Sequence, residues 1–222
     1  MKKHPILFKT EMVEAILSGS KTQTRRVVKL PEGFSIQKPE ICREVSPSGL
    51  KGRWGVLATN ADPDLRMPEV KHIPCPYGGM GDRLWVRETF ACVPATAYQH
   101  SDGVQQRLNP KDPEIAAIYR AGWDRCLPTA WKPSLHMPRW ASRLLLEIVD
   151  IGIERLNDIS TEDACAEGCD HSKSEAAISM GLHYKPKAVF KHLWQSINGV
   201  ENWYSNPWVW VIEFKVAQVG EE

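Results

Sequence analysis

The sequence lacks both a long apolar run and a strong excess of charge. None of its 222 residues belongs to an uninterrupted hydrophobic stretch long enough to cross a bilayer. The formal net charge is only +1, so the total charge by itself indicates no partner. The first ten residues, MKKHPILFKT, contain too short an apolar patch for a signal peptide. We therefore expect a cytoplasmic protein with no membrane partner.

Several common catalytic motifs are also missing. The chain has no P-loop, no dinucleotide-binding fingerprint, no nucleophile elbow and no zincin helix. These absences argue against a nucleotide hydrolase and against a Rossmann-fold enzyme. The sequence accordingly predicts no cofactor.

The six cysteines form no dense framework, so we expect reduced thiols. The tightest group of metal-ligating residue types is Cys165, Cys169 and His171, with His183 downstream. Its spacing is not that of a standard zinc finger, and buried free cysteines are common in protein cores. We predict no metal site, with this group as the alternative.

Strand-like segments outnumber helical ones along the chain. Strands are predicted at 5–8, 22–28, 83–87, 142–156 and 206–216, and helices at 11–17, 158–168 and 187–199. Two Pro- and Gly-rich segments interrupt this pattern, at about 31–80 and 91–135, and a hairpin is expected around GRWGVLAT in the first. The pattern predicts one α+β domain over residues 1–222, built as a small, partly open β-barrel with short helices and two loop-rich insertions.

The second insertion and the residues after it mix cations with aromatic side chains. In YRAGWDRCLPTAWKPSLHMPRWASR, Asp124 is the only acid. Cations that hold phosphates beside aromatic faces that stack bases are typical of a single-strand nucleic-acid surface. The alternative is a loop whose tryptophans plug the barrel while its cations face water.

The segment GSKTQTRR (19–26) is the strongest candidate for a reactive site. A lysine beside a threonine hydroxyl acts as a base when burial and nearby cations lower its pKa. Side chains alternate along a strand, so Lys21 and Thr24 can work together only if Lys21 lies outside the regular strand or a bulge resets the register. The alternative is a solvated cationic strand edge.

Four motifs in order carry a resemblance to a known family. ILSGSKTQTRR, GDRLWVRE, IERLNDISTEDACAEG and WVWVIEF together resemble the ASCH domain family, which is related to PUA domains. The resemblance covers most of the chain outside 31–80 and 91–135. The larger form with these insertions is similar to ASCH-type proteins of phages and prophages.

The resemblance implies a PUA-like barrel and a role with RNA or modified nucleosides. By similarity to bacterial enzymes that hydrolyse N4-acetylcytidine, it implies a catalytic set of Lys21, Thr24 and Glu167, with Glu162 and Glu88 as alternatives to Glu167. Thr24 would attack the amide carbonyl, Lys21 would accept its proton, and Glu167 would orient water or assist the leaving amine. The expected residues for binding substrate or nucleic acid are Arg25, Arg26, Arg87, Arg120, Trp123, Trp131, Arg139 and Trp140.

An amidohydrolase acting on N4-acylated cytidine is therefore the first functional hypothesis. A module that binds RNA or single-stranded nucleic acid without catalysis is the second. A ribonuclease on the same fold is the third.

Overall fold

The computed structural model describes residues 1–45, 51–60, 67–126, 130–169 and 185–219. Strands predominate and short helices are interspersed, so the prediction of an α+β protein is confirmed. The chain divides into two compact units. The first unit contains Met1–Gly19, Gly81–Glu147 and Lys215–Glu222, and the second contains Ser20–Met80 and Ile148–Phe214.

Twelve strands and four α-helices are present in the described ranges. The strands are β1 (Lys3–Leu7), β2 (Gln23–Val27), β3 (Phe34–Ser35), β4 (Ile41–Val45), β5 (Lys51–Asn60), β6 (Glu69–Pro74), β7 (Arg83–Arg87), β8 (Phe90–Pro94), β9 (Arg107–Asn109), β10 (Asp112–Tyr119), β11 (Leu144–Arg155) and β12 (Trp208–Val219). The helices are α1 (Thr10–Leu17), α2 (Thr161–Ala166), α3 (Pro186–Asn198) and α4 (Val200–Tyr204).

In the first unit, β1 pairs in parallel with β7, and β7 pairs antiparallel with the start of β11. A separate sheet has the order β8-β10-β9. Its apolar side chains pack into two clusters, one around Phe90, Tyr119 and Met137 and the other around Val93 and Ile118. The predicted loop-rich segment 91–135 therefore contains most of a three-stranded antiparallel sheet, in which β9 and β10 form a hairpin and β8 pairs with β10.

In the second unit, β2 pairs antiparallel with β12, with Thr24 opposite Ile212. Helices α2 and α3 pack on a core that includes Leu156, Phe190 and Trp194. The predicted loop-rich segment 31–80 forms a further sheet, in which β3, β4 and β6 all pair with β5.

Prolines account for the irregular appearance of the first insertion. Pro39 and Pro68 come shortly before strands, and Pro74 is the last residue of β6. A proline at these places removes no hydrogen bond from the middle of the sheet, which is why a proline-rich segment can still be a sheet. The described strands form open sheets and no closed barrel.

Candidate active site

Lys21 lies just before β2, outside the regular strand. It forms an isolated antiparallel bridge with Glu167, and the neighbouring Thr22 nitrogen donates to the Ala166 oxygen over 2.9 Å. The chain entering β2 thus runs alongside the end of α2. The geometric condition for Lys21 to work with Thr24, a position outside the strand, is met.

Helix α2 places Glu167 at its end. Ser160 caps the start of the helix: its hydroxyl accepts from the Asp163 nitrogen over 2.9 Å, and the Asp163 carboxylate accepts from the Ser160 nitrogen over 3.3 Å. The Glu167 nitrogen still donates to the Asp163 oxygen over 2.8 Å. Gly168 then takes φ of 83°, which ends the helix in a backbone conformation that favours glycine. The helix predicted at 158–168 is thus present as α2, capped by Ser160 and ended by Gly168.

The Lys21 ammonium group is buried and fully engaged in hydrogen bonds. Its side chain is 0% exposed and that of Glu167 is 4% exposed. Lys21 Nζ donates to Glu167 Oε2 over 2.6 Å, to the Glu167 backbone oxygen over 2.9 Å and to the Gln23 backbone oxygen over 2.8 Å. An ammonium group has three hydrogens, and these three acceptors match them.

Burial lowers the pKa of Lys21 below its ordinary value. The Glu167 carboxylate opposes this shift, and the positive charge of Arg26 adds to it. The desolvation effect is the largest of these contributions, so the proton on Lys21 is held less tightly than on an exposed lysine. A buried lysine of this kind is chemically suited to exchange a proton.

Arg25 forms ion pairs with three carboxylates. Its guanidinium lies 2.6 Å from Glu154, 3.2 Å from Asp163 and 3.3 Å from Glu167 Oε1, and its side chain is 0% exposed. The ring of Phe190 lies 5.9 Å below it. Arg25 therefore holds Glu167 from the side opposite to Lys21, and its position does not suit the predicted contact with nucleic acid.

Thr24 occupies the other face of β2. Gln23 and Arg25 both reach Asp163 on α2, so alternation along the strand puts Thr24 and Arg26 on the opposite face. Thr24 is only 1% exposed, and its hydroxyl makes no hydrogen bond with any of the described residues. The Thr24 hydroxyl is thus a buried group at the second position of β2.

The first insertion contributes Tyr77 to the surroundings of Arg26. The Cys75 nitrogen donates to the Trp54 oxygen over 2.8 Å, and Gly79 packs so closely on Trp54 that a Cβ would overlap the indole ring. Burial raises the pKa of Tyr77, while the nearby charge of Arg26 opposes that shift. The insertion is therefore fastened to its own sheet on both sides of a tyrosine that lies near Arg26.

The two alternative carboxylates are engaged differently. Glu162 is exposed at the start of α2. Glu88, in the first unit, is 1% exposed and accepts from Arg143 twice, with both distances 2.9 Å. Burial raises the pKa of Glu88, against the opposing effect of Arg143. Of the three candidates, Glu167 is the one that contacts Lys21.

The remaining predicted binding residues lie in the first unit. Trp123 and Trp131 are half-buried against the cluster around Val93 and Ile118, and their ring centroids lie 5.6 Å apart. Trp140 packs against the other cluster. Several cations already cover indole rings: Arg120 lies 5.9 Å from Trp131, and Arg87 and Arg139 lie 5.6 Å and 5.3 Å from Trp85. Trp123, Trp131 and Trp140 thus each pack one part of the indole against a core cluster and leave another part exposed.

The alternative metal group falls partly outside the described residues, since His171 and His183 are not among them. Within the described part of the chain, no group of three or more His, Cys, Asp or Glu side chains is arranged to hold a metal ion. Burial, with a further effect from the Glu167 carboxylate, raises the pKa of the Cys169 thiol to about 12.

Sequence reasoning missed several members of this site. Gln23, Asp163, Glu154 and Tyr77 all have polar groups close to the predicted residues. A signal existed for Asp163, because a serine followed three residues later by an acid indicates a capping box, which fixes that carboxylate at the helix start. Glu154 and Tyr77 had no local signal.

No described helix has both the length and the apolar composition that a membrane span requires. Comparisons with family models, with curated proteins and with solved structures gave no match.

Proposed function

We propose that this protein is an ASCH-type amidohydrolase that removes the acyl group from N4-acylated cytidine, free or within RNA. The observation that supports it best is the buried contact of Lys21 with Glu167 beside the start of β2, where Thr24 supplies a hydroxyl. A lysine, a carboxylate and a hydroxyl are the groups that a metal-independent acyl transfer uses. The family resemblance supplies the substrate class.

The proposed reaction has two halves. Thr24 Oγ bonds to the acyl carbon while its proton passes to Lys21 Nζ, and the bond to the exocyclic nitrogen of cytidine then breaks. The leaving nitrogen takes that proton and departs as the amino group of cytidine. Water then attacks the Thr24 ester, which releases the carboxylic acid and restores the hydroxyl. All atoms of the amide and of one water are accounted for.

Lys21 can accept a proton only after giving one up. The 2.6 Å hydrogen bond to Glu167 Oε2 provides a direct route, because moving its proton to the carboxylate leaves a neutral amine. Burial favours this neutral form of the pair, whereas Arg25, 3.3 Å from the other carboxylate oxygen, favours the charged form. Glu167 is therefore the proposed acceptor of the Lys21 proton.

Arg26, rather than Arg25, is the proposed stabiliser of the oxyanion. Arg25 is surrounded by three carboxylates and lies on the α2 side of β2. Arg26 shares the face of Thr24, and its charge acts on both Lys21 and Tyr77. A cation placed where charge develops in the transition state is among the largest contributions to catalysis.

A PUA-like, partly open barrel is the finer fold that we propose for this chain. The antiparallel pair of β2 and β12, with α2 alongside the start of β2, supports it. The insertions then add sheets to that framework.

Incubation with N4-acetylcytidine, followed by mass spectrometry of the products, tests the activity. We expect cytidine and acetate from the wild type and from Thr24→Ser, which keeps a hydroxyl, but not from Thr24→Val, which has nearly the same shape. Thr22→Val is the matched control, because Thr22 is exposed and only two positions away. Equal turnover by Thr24→Val and the wild type would contradict the proposal.

Binding of single-stranded RNA, with or without its cleavage, is the second candidate function. The half-buried indoles of Trp123 and Trp131 beside Arg120 support it. If this surface binds phosphates, the logarithm of the binding constant falls with the logarithm of salt concentration by about one unit or slightly less per phosphate contacted. A flat salt response excludes the binding function, and intact RNA after incubation with and without a chelator excludes the ribonuclease.

A further inference from the structure

A cavity lies wholly within the first unit, and none of the residues of the proposed reaction lines it. Its volume is about 260 Å³, and the residues that line it include Asp102, Gln105, Tyr119, Trp123 and Arg143. That volume lies just below the range of pockets that hold drug-sized ligands, so it suits one small ring system.

The inner wall of the cavity is formed by a buried, hydrogen-bonded ion pair. Arg143 is 7% exposed and grips Glu88 through two hydrogen bonds of 2.9 Å. Its guanidinium also donates to the Ala121 oxygen over 3.2 Å and lies 4.1 Å from the centre of the Tyr119 ring. The buried ion pair and the ring stacked on it thus form a fixed surface, and the Glu88 carboxylate offsets the Arg143 charge.

Arg143 also fixes the orientation of Gln105. Arg143 Nη1 donates to Gln105 Oε1 over 2.6 Å, and a guanidinium can only donate. The amide oxygen of Gln105 must therefore face the arginine, and the amide nitrogen points away from it. That nitrogen donates to no acceptor among the described residues. The cavity wall accordingly presents an oriented pair of N–H donors.

The rest of the lining supplies an aromatic ring and an acceptor. Trp123 Nε1 donates to the Arg125 oxygen over 3.0 Å, and Arg125 Nη2 donates to the Asp102 backbone oxygen, so the two loops are tied together. The Trp123 ring is held by these contacts and by the Tyr98 ring, with centroids 5.2 Å apart. The Asp102 carboxylate, an acceptor, has no hydrogen-bond donor among the described residues.

The charge balance excludes a simple phosphate as the ligand. Glu88 offsets Arg143, and Asp124 lies 3.6 Å from Arg125, which leaves Asp102 as the surplus charge. A cavity with a donor amide, an acceptor carboxylate and an indole face, but no surplus positive charge, suits a neutral planar heterocycle with both donors and acceptors at its edge.

We propose that this cavity binds a single nucleobase, with Gln105 donating to a base carbonyl or ring nitrogen, Asp102 accepting from an amino or imino group, and Trp123 contacting the base plane. The inference goes beyond the proposed hydrolysis and does not depend on it, because all of its residues belong to the first unit. It also applies whether the base arrives on a free nucleotide or on a single strand.

The test is a titration of protein labelled with ¹⁵N at tryptophan with each of the four ribonucleoside 5′-monophosphates, with ribose 5-phosphate as the control that lacks a base. The indole N–H signal of Trp123 is identified by its loss in Trp123→Phe. We expect a saturable shift of that signal with at least one nucleotide and none with ribose 5-phosphate. No shift with any nucleotide, or an equal shift with ribose 5-phosphate, would overturn the proposal.

Gln105→Glu is the decisive variant. It keeps an oxygen acceptor for Arg143, so the fold is retained, but it removes the N–H donors. We expect the affinity for the base to fall by about tenfold. Gln99→Glu, which makes the same charge change at an exposed residue outside the cavity, should bind as the wild type does. Unchanged affinity in Gln105→Glu would overturn the assignment.

Repeating the titration on Thr24→Val separates this cavity from the proposed active site, because the Trp123 shift should persist there.

Discussion

Lys21 Nζ lies 2.6 Å from Glu167 Oε2 and 2.9 Å from the Glu167 backbone oxygen, so one residue accepts two of the three ammonium hydrogens. These residues are 146 positions apart in the chain. The contact joins the start of β2 to the end of α2, and it is both a structural tie and the centre of the proposed chemistry. Those two roles can be separated by experiment.

Removing one partner of this pair should destabilise the protein strongly. Lys21→Met leaves the Glu167 carboxylate buried without its lysine, and breaking a buried pair in this way costs about 3–5 kcal/mol. The free energy of unfolding from urea titration measures the loss. The double variant Lys21→Met with Glu167→Met should recover part of that stability while staying inactive. A double variant no more stable than Lys21→Met would contradict the coupling.

Activity and stability should depend on pH through Lys21. Burial lowers its pKa in the folded state, so between that lowered value and the ordinary value of about 10.4 the unfolded chain binds more protons. The contribution of Lys21 to stability therefore rises with pH across this window, and deacylation should rise through the same lowered pKa. The difference in unfolding free energy between the wild type and Lys21→Met, measured at several pH values, should therefore change in favour of the wild type as the pH rises through this window. The absence of any such slope would show that the lysine pKa is not lowered.

The cap of α2 should matter to the position of Glu167. Ser160→Ala removes the hydroxyl that accepts from the Asp163 nitrogen, and loss of such a cap costs about 1 kcal/mol. We expect deacylation to fall, while the carboxylates of Glu154 and Asp163 keep their contacts with Arg25. Ser160→Asp, which preserves a capping oxygen, is the matched control and should restore both stability and turnover.

The close packing of Gly79 on Trp54 should be intolerant of any side chain. Gly79→Ala places a Cβ on the indole ring, which is itself covered by Arg43 at 4.5 Å, so the ring cannot move freely. Overpacking of this kind costs about 1–3 kcal/mol. Gly152→Ala is the control, since its Cβ would meet only Val211, at an ordinary 3.7 Å. Thermal unfolding compares the two, and equal midpoints would contradict the packing argument.

The Arg143–Glu88 pair should tolerate no change of geometry. Arg143→Lys keeps the charge but cannot make the two parallel hydrogen bonds or the contact with the Tyr119 ring. We expect a clear fall in the unfolding midpoint for this variant, and a smaller one for Arg139→Lys, which lies exposed on Trp85. A larger effect at Arg139 would contradict the ranking.

Local sequence patterns predicted the elements that carry the candidate site. Helix α2 could be predicted because a capping serine and a terminal glycine bound it within a few residues. Strand β2 could be predicted from its β-branched residues, which are also a local signal. The same reasoning supplied Lys21 and Thr24, and the family resemblance supplied Glu167.

Tertiary pairing explains what the sequence did not predict. The strands β3 to β6 follow one another along the chain and all pair through β5, but their many prolines and glycines suggested a loop-rich segment. The role of Arg25 depends on Glu154, Asp163 and Glu167, which lie 129 to 142 positions away. The residues next to a cation in a strand do not indicate whether its side chain will contact water, nucleic acid or carboxylates.

The short length of α2 has a consequence for what holds the site together. A helix of six residues has almost no stability by itself, since forming the first turn is unfavourable and few further bonds follow. Its Ala164 is held in the core beside Phe190 of α3. We therefore expect the Lys21–Glu167 contact to depend on the packing of α2 against α3, and not on the stability of α2 by itself.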